Sequence, residues 1–169
     1  TFAQVTVGTG NTLSLGVAQT FSSLNGAGAV TASTTAVMTI GNVLSSTVSH
    51  STFDGVLTGA GLSLIKSGYG TMTLGGAASN TYSGPSGTWV TGGTLVLAKT
   101  GGAIAIPTQL TIDATGNVAG TARVRLEGQD QILTSAQVTL NRGATFDLNG
   151  FNQSVGGLNG TDGGVILNN

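Results

Sequence analysis

The sequence predicts an all-β parallel β-solenoid with little or no helix, wound into about six to seven coils of about 22–28 residues each. Apolar residues alternate with polar ones at a period of two, which is typical of short strands with one buried face. Glycines and Asn-Gly steps separate these stretches and supply the turns. Similar stretches also recur along the chain, as in repeat proteins.

Apolar pairs two residues apart define the expected strands in chain order. The pairs are Val5/Val7, Leu13/Leu15, Met38/Ile40, Leu62/Leu64, Met72/Leu74, Leu95/Leu97, Leu110/Ile112, Val124/Leu126, Val138/Leu140 and Phe146/Leu148. Residues 29–54 are the least patterned, but their Ser, Thr and Val content still favours an extended backbone. No stretch keeps an apolar helical stripe over three turns, so helix should be scarce.

Three features favour a solenoid over the alternatives, of which an antiparallel sandwich is the main one. Residues 108–112 (TQLTI) resemble residues 136–140 (AQVTL), 28 positions later. The expected strands are very short, as on the faces of a coil. Only 7% of the residues are charged, and like charges on stacked coils would repel each other at about 4.8 Å.

A longer repeat joins the two ends of the chain. Residues 1–15 (TFAQVTVGTGNTLSL) and 134–148 (TSAQVTLNRGATFDL) align without a gap and share eight identical positions. We therefore expect residues 1–169 to be a single solenoid segment, with one long repeat unit at 1–133 and the start of the next at 134–169. Neither end shows a charged or helical cap, so we expect like β-solenoid segments to stack on the ends, in the same polypeptide or in a homo-oligomeric filament.

The composition argues against several classes of partner and site. The net charge is −1, with five Lys and Arg in total, so no basic face is available for nucleic acid or an anionic membrane surface. No apolar run approaches the roughly 18 residues of a membrane-spanning helix. Cysteine is absent and there is one histidine, so we expect no disulfide, no metal site and no cofactor.

The middle of the chain, residues 62–97, carries an ordered motif. Its elements are Leu64, Lys66, Gly68, Gly70, Thr71, Met72, Leu74, Gly76, Asn80-Thr81-Tyr82, Gly84, Thr88-Trp89-Val90 and Gly93-Thr94-Leu95. This segment closely resembles the autotransporter-associated β-strand repeat, also called the passenger-associated transport repeat, of bacterial surface proteins. Three departures stand out: Met72 replaces a leucine, residues 85–87 lengthen a corner, and Trp89 occupies a position that is normally small and polar.

The resemblance implies a right-handed parallel β-helix stem that is exported and displayed outside the bacterial cell. It adds no catalytic residue. The prediction is therefore a non-enzymatic structural module of a surface or extracellular-matrix protein, such as an adhesin stem, a spacer or a fibre body, that stacks end to end.

Two short motifs contain residue types found in active sites. His50, Ser51 and Asp54 supply the types of a hydrolase triad, but triad members normally converge from separated segments, so a solvated loop histidine is favoured. Gly68-Tyr69-Gly70 lacks the lysine-serine ending and the helix of a phosphate-binding loop, so a turn is expected. No catalytic residue is predicted.

One charged group could contact a glycan. Arg123, Arg125 and Glu127 alternate along one expected strand, with Asp130 just beyond. The favoured interpretation is an outward face that pairs its own charges. The alternative function is a polysaccharide-binding or polysaccharide-cleaving β-helix protein. Its groove would bring these residues or Lys66 beside exposed aromatics, which could be Trp89, Tyr69 or Tyr82. Self-association through flat, uncharged sides is a third possibility.

Overall fold

Within the residues that the computed structural model describes, 2–41, 49–114, 121–161 and 163–169, the chain forms short strands and no helix. The strands are β1 (Gln4–Val7), β2 (Thr12–Ser14), β3 (Gln19–Phe21), β4 (Ser23–Gly26), β5 (Ala29–Thr31), β6 (Ala36–Ile40), β7 (Ser51–Phe53), β8 (Val56–Thr58), β9 (Leu62–Lys66), β10 (Thr71–Leu74), β11 (Thr88–Val90), β12 (Gly93–Leu97), β13 (Leu110–Ile112), β14 (Ala122–Leu126), β15 (Gln137–Leu140), β16 (Ala144–Asp147), β17 (Gly157–Gly160) and β18 (Val165–Leu167).

These strands form three parallel sheets that run along one column. The first sheet has the order β1-β4-β7-β10-β12-β14-β16-β18, the second β17-β15-β13-β11-β9-β6-β3 and the third β2-β5-β8. In the first three coils the chain visits the first, third and second sheets in turn, and from β9 onward the strands alternate between the second and first sheets. The predicted all-β solenoid is confirmed, with about seven turns. The antiparallel sandwich is wrong, because the strand pairs described are parallel.

Coil length varies more than the sequence suggested. The coil that pairs Thr12 with Ala29 is shorter than any that we expected, whereas the coil that pairs Gly93 with Ala122 is longer. The strands themselves stay short throughout. The expected coil length of about 22–28 residues was therefore too narrow, because corners absorb insertions while the strand ladders stay in register.

The short-range repeat marks equivalent places in neighbouring coils. In the second sheet Leu110 pairs with Val138 and Ile112 with Leu140, so residues 108–112 lie directly beside residues 136–140. The inward positions alternate as predicted. Met72 and Leu74, for example, are fully buried, and Thr73 between them faces outward.

The long-range repeat behaves differently. Residues 1–15 contain β1 in the first sheet and β2 in the third, whereas residues 134–148 contain β15 in the second sheet and β16 in the first. The same strand–turn–strand sequence therefore spans two different corners of the column. The division into a unit at 1–133 and a second at 134–169 stays a prediction.

The third sheet ends at β8, and an asparagine continues the coil contacts beyond it. Asn80 is 2% exposed; its Oδ1 accepts a hydrogen bond from the Leu57 amide at 2.9 Å, and its Nδ2 donates to the Ala105 carbonyl at 2.8 Å. The asparagine side chain thus joins the coil before it to the coil after it. This satisfies backbone groups that a strand would otherwise pair.

Two glutamines make similar contacts in later coils. Gln131 accepts from the Lys99 amide at 2.8 Å and donates to the Lys99 carbonyl at 3.0 Å. Gln153 does the same to Ile132, at 3.0 Å and 2.9 Å. Each primary amide has one acceptor and two donors, so it can imitate the backbone of a neighbouring strand. On this side of the column, side chains therefore replace part of the strand ladder.

Tight corners require glycine where one coil touches the next. At Gly70 an added Cβ would lie 1.7 Å from the carbonyl oxygen of Ser49. At Gly16 the same atom would meet nothing within 4 Å. Gly70 therefore sets the close approach of two coils, and Gly16 does not.

We predict that Gly70→Ala lowers the free energy of unfolding by about 2 kcal/mol or more, because the methyl group overlaps backbone that cannot move aside. Gly16→Ala is the matched control and should change it by less than about 0.5 kcal/mol. Urea unfolding followed by circular dichroism measures both. Equal stability of the two variants would contradict this role of Gly70.

Candidate functional site

The charged residues singled out in the sequence lie on the outer face of the first sheet. In β14, Ala122, Val124 and Leu126 are buried, so Arg123 and Arg125 project outward between them. Their side chains are 40% and 41% exposed. The alternation predicted from the sequence is therefore present.

Asp147 neutralises this pair of arginines from the next coil. It lies directly beside Arg125 in β16, and its side chain is 3% exposed. Its carboxylate accepts a hydrogen bond from Arg123 and lies 3.7 Å from Arg125 Nε. Arg125 Nε is also 3.2 Å from Glu127 Oε1, and its Nη2 donates to Asn149 Oδ1 at 3.1 Å. The favoured interpretation of a self-paired charged face agrees with this geometry.

Sequence reasoning missed Asp147, which is the most buried member of the cluster. Asp147 pairs with Arg125 across one coil, and Arg125 pairs with Val96 across a longer coil, so no fixed period links the partners. The signal available in the sequence was an Asp at the end of a short segment, residues 144–147 (ATFD), that holds no other charge. Two arginines and two carboxylates leave no net charge in the cluster.

Asp130 and Glu127 line a groove of about 550 Å³ between two corners of successive coils. Lys99, Gln131 and Phe151 also line it. The Lys99 amine, however, donates to the carbonyl of Gly55 at 2.8 Å. No group of three or more His, Asp or Glu that could hold a metal occurs in the part of the chain described.

Trp89 lies apart from the charged cluster. It is the central residue of β11 in the second sheet, between Ile65 and Thr111 of the neighbouring strands, and is 40% exposed. A groove of about 410 Å³ lies against the indole, lined also by Pro85 and Gln109. The structure therefore does not bring Trp89 together with the arginines, which project from another sheet.

Lys66 is part of the core and not of a surface groove. It is 1% exposed, and its Nζ donates to the carbonyls of Ser67 at 2.6 Å and Gly92 at 3.1 Å. It thereby fastens the corners of two successive coils. Burial lowers the pKa of the Lys66 amine to about 8. Because the side chain is buried and its amine is bound to carbonyls, the hypothesis that Lys66 contributes to a glycan groove is wrong.

Two further ionisable groups, Lys99 and Tyr82, are also buried. Burial lowers the pKa of Lys99 to about 8, opposed by the charge of Asp54. Tyr82 is fully buried, which raises its pKa, and its hydroxyl shares a hydrogen bond with Thr88 that acts in the opposite direction. Tyr82 is therefore not available as a surface aromatic, whereas Tyr69 is 43% exposed.

The other two motifs do not form sites. Ser51 is buried beside Met72 at an inward position, whereas His50 is exposed, so no triad geometry exists between them. Residues 68–70 form a bend before β10, with Gly68 at φ 69°. The expected turn is confirmed, with no helix following it.

We predict that stability rises with pH between about pH 8 and pH 10. In this window the unfolded lysines, with pKa values near 10.5, bind more protons than folded Lys66 and Lys99, so deprotonation favours the folded state. Lys66 alone should add about 1 kcal/mol per pH unit. Above about pH 10 the raised pKa of Tyr82 acts in the opposite direction.

Urea unfolding at successive pH values checks this trend. Lys66→Met should remove part of the slope, and Lys66→Met combined with Lys99→Met should remove most of it. Lys-to-Met changes keep the length of the side chain and remove the titrating group. An unchanged slope in the double variant would show that the buried lysines do not cause it.

One comparison with known proteins found a family match in the middle of the chain. Residues 64–97 match the model of the passenger-associated-transport-repeat family. This range runs from β9 through β10 and β11 to β12, slightly more than one coil. Searches of curated proteins and of solved structures gave no significant match. Among the described residues, we find no helix with the length and hydrophobicity of a membrane span. The predicted resemblance is confirmed: residues 64–97 are similar to a passenger-associated transport repeat.

Proposed function

We propose that this segment is a non-enzymatic structural column in a protein that bacteria export to their surface or extracellular matrix. Its role is that of an adhesin stem, a spacer or a fibre body. The observation that carries the proposal is the passenger-associated transport repeat at residues 64–97, which lies within a continuous parallel ladder of coils. The family indicates an exported, surface-associated protein of the autotransporter passenger type.

The use of polar side chains supports a structural role. Lys66 holds corner carbonyls, Asn80 and Gln131 complete backbone hydrogen bonds, and Asp147 pairs with arginines of the neighbouring coil. Each of these groups is at most 3% exposed. Groups that bind or transform a substrate must be accessible to it, whereas these groups stabilise contacts between coils.

Surface display tests the proposal. The chain, with an N-terminal epitope tag, is fused ahead of an autotransporter translocator and expressed in a Gram-negative host. We expect the tag at the cell surface and a trypsin-resistant passenger, because parallel coils leave few sites open to cleavage. Gly16→Ala should match the original chain, and Gly70→Ala should be cleaved faster. A passenger retained inside the cell, or one as sensitive as an unfolded chain, would contradict the proposal.

One observation favours a second candidate, glycan binding. The exposed indole of Trp89 borders a groove whose other lining residues include Ser86, Gln109 and Thr111, all uncharged. An aromatic face beside hydroxyl and amide groups suits a neutral sugar, which presents both C–H and O–H groups. Arg123, Arg125 and Glu127 could contribute only to a separate contact on the first sheet.

Intrinsic fluorescence tests this candidate, because Trp89 is the one tryptophan of the chain. If the groove binds neutral glucan oligosaccharides, titration should change the emission, and Trp89→Thr should abolish binding measured by calorimetry. Tyr69→Thr, at a similarly exposed aromatic, should bind as before. The absence of new reducing or unsaturated ends from glucan and pectin would count against cleavage, and an unchanged emission would count against binding.

A further inference from the structure

One outward row of the second sheet joins Trp89 to threonines of the next two coils. Trp89 lies directly beside Thr111 of β13, and Thr111 lies directly beside Thr139 of β15. The strand neighbours of each are buried, so all three side chains project from the same face. The row therefore crosses three successive coils in steps of about 4.8 Å.

A glutamine accompanies each threonine of this row. Gln109 comes two residues before Thr111, and Gln137 comes two residues before Thr139, within the short-range repeat. Both glutamines are exposed. The repeat therefore places the same outward pair, an amide and a hydroxyl, on two neighbouring coils.

Neighbouring groups hold one atom of each glutamine amide. Gln109 Nε2 donates to the carbonyl of Pro85 at 3.2 Å, and Gln137 Oε1 accepts from Asn159 Nδ2 at 3.2 Å. A primary amide has both a carbonyl acceptor and two N–H donors. Gln109 Oε1 can therefore accept a hydrogen bond from a sugar hydroxyl, and Gln137 Nε2 can donate one to a sugar oxygen.

The groove beside Trp89 leads to this repeated pair. Its lining includes Ile65 of β9, Trp89 of β11 and Thr111 of β13, so it already spans three coils. The next strand of the same sheet is β15. A short sugar would occupy the groove alone, whereas a longer chain that follows the row would also reach Gln137 and Thr139.

The chemistry of the row favours a neutral, extended glycan. Its side chains are uncharged, so they offer no counter-charge to a sulfated or uronic polysaccharide. A β-linked glucose ring presents a C–H face that suits an indole and hydroxyls at its edges that suit amides. β-1,4 linkages keep such a chain straight, and each sugar advances it by a length close to the step between coils. A periodic ligand thus matches the periodic row.

We propose that the outer face of the second sheet binds an extended, neutral β-1,4-linked glycan that lies along the column axis. Trp89 stacks against one sugar ring. The pairs Gln109/Thr111 and Gln137/Thr139 hydrogen-bond the sugars that follow. The inference rests on the glycan-binding candidate and adds the linkage, the length and the direction of the glycan.

The length of the glycan tests the proposal. Cello-oligosaccharides of two, four and six sugars are titrated into the protein by calorimetry. The affinity should rise at least about tenfold from the dimer to the hexamer, because the longer chain reaches both amide–hydroxyl pairs. A malto-oligosaccharide of six sugars should show no such gain, because α-1,4 linkages curve the chain away from the row.

Variants locate the added contacts. Gln137→Ala combined with Thr139→Val should remove most of the gain and leave the affinity for the dimer unchanged, because the dimer occupies the Trp89 groove alone. Trp89→Thr should abolish binding at every length. Thr73→Val, at an outward position of the first sheet, is the matched control and should behave like the original chain. Circular dichroism checks that each variant is folded.

Equal affinity for all lengths, or a gain that survives in the double variant, would overturn this inference and leave the glycan-binding candidate standing. No binding at any length would overturn both and leave the structural column as the proposed function. Sedimentation velocity provides a further check. A dimer that forms without sugar and is lost in Trp89→Thr would assign this face to a second copy and overturn the proposal.

Discussion

The parallel hydrogen-bond ladder between coils is the constraint on which the rest of the structure depends. Each coil lies about 4.8 Å from the coils on either side, so every position in a strand repeats the environment of its neighbours. An inward position must be apolar, as at the paired residues Met72 and Leu95, or its polar atoms must find hydrogen-bond partners nearby. A corner must let backbone touch backbone, which is why Gly70 lies against the Ser49 carbonyl.

The polar groups of the interior follow from the same constraint. A charge that repeated from coil to coil would meet a like charge. Lys66 and Lys99 instead bind carbonyls, and Asp147 pairs with arginines of the neighbouring coil. Lys66 replaces an apolar residue between Ile40 and Val90 in the second sheet, and corner carbonyls hold its amine. Asn80 and Gln131 replace a strand where the third sheet has ended. Such groups join particular pairs of coils, which favours one order of stacking over others.

The inward-facing residues could be predicted from the sequence, but the pairing register between all coils could not. The alternation of apolar and polar residues placed Met72 and Leu74 inward. The short repeat of residues 108–112 at 136–140 gave the observed pairing of Leu110 with Val138. Asp147 was missed because corners of variable length separate it from its arginine partners. Lys66 could have been recognised as buried, since it continues the alternation of Leu62 and Leu64. The amide groups that extend the third sheet leave no periodic signal, because unequal intervals separate Asn80, Gln131 and Gln153.

The long repeat places similar residues at two different corners of the column. Residues 134–148 repeat the opening of the chain, but they start in the second sheet, whereas residues 1–15 start in the first. The same kind of sequence therefore fits two positions of the column, because each position requires only short strands with one apolar face and a turn between them.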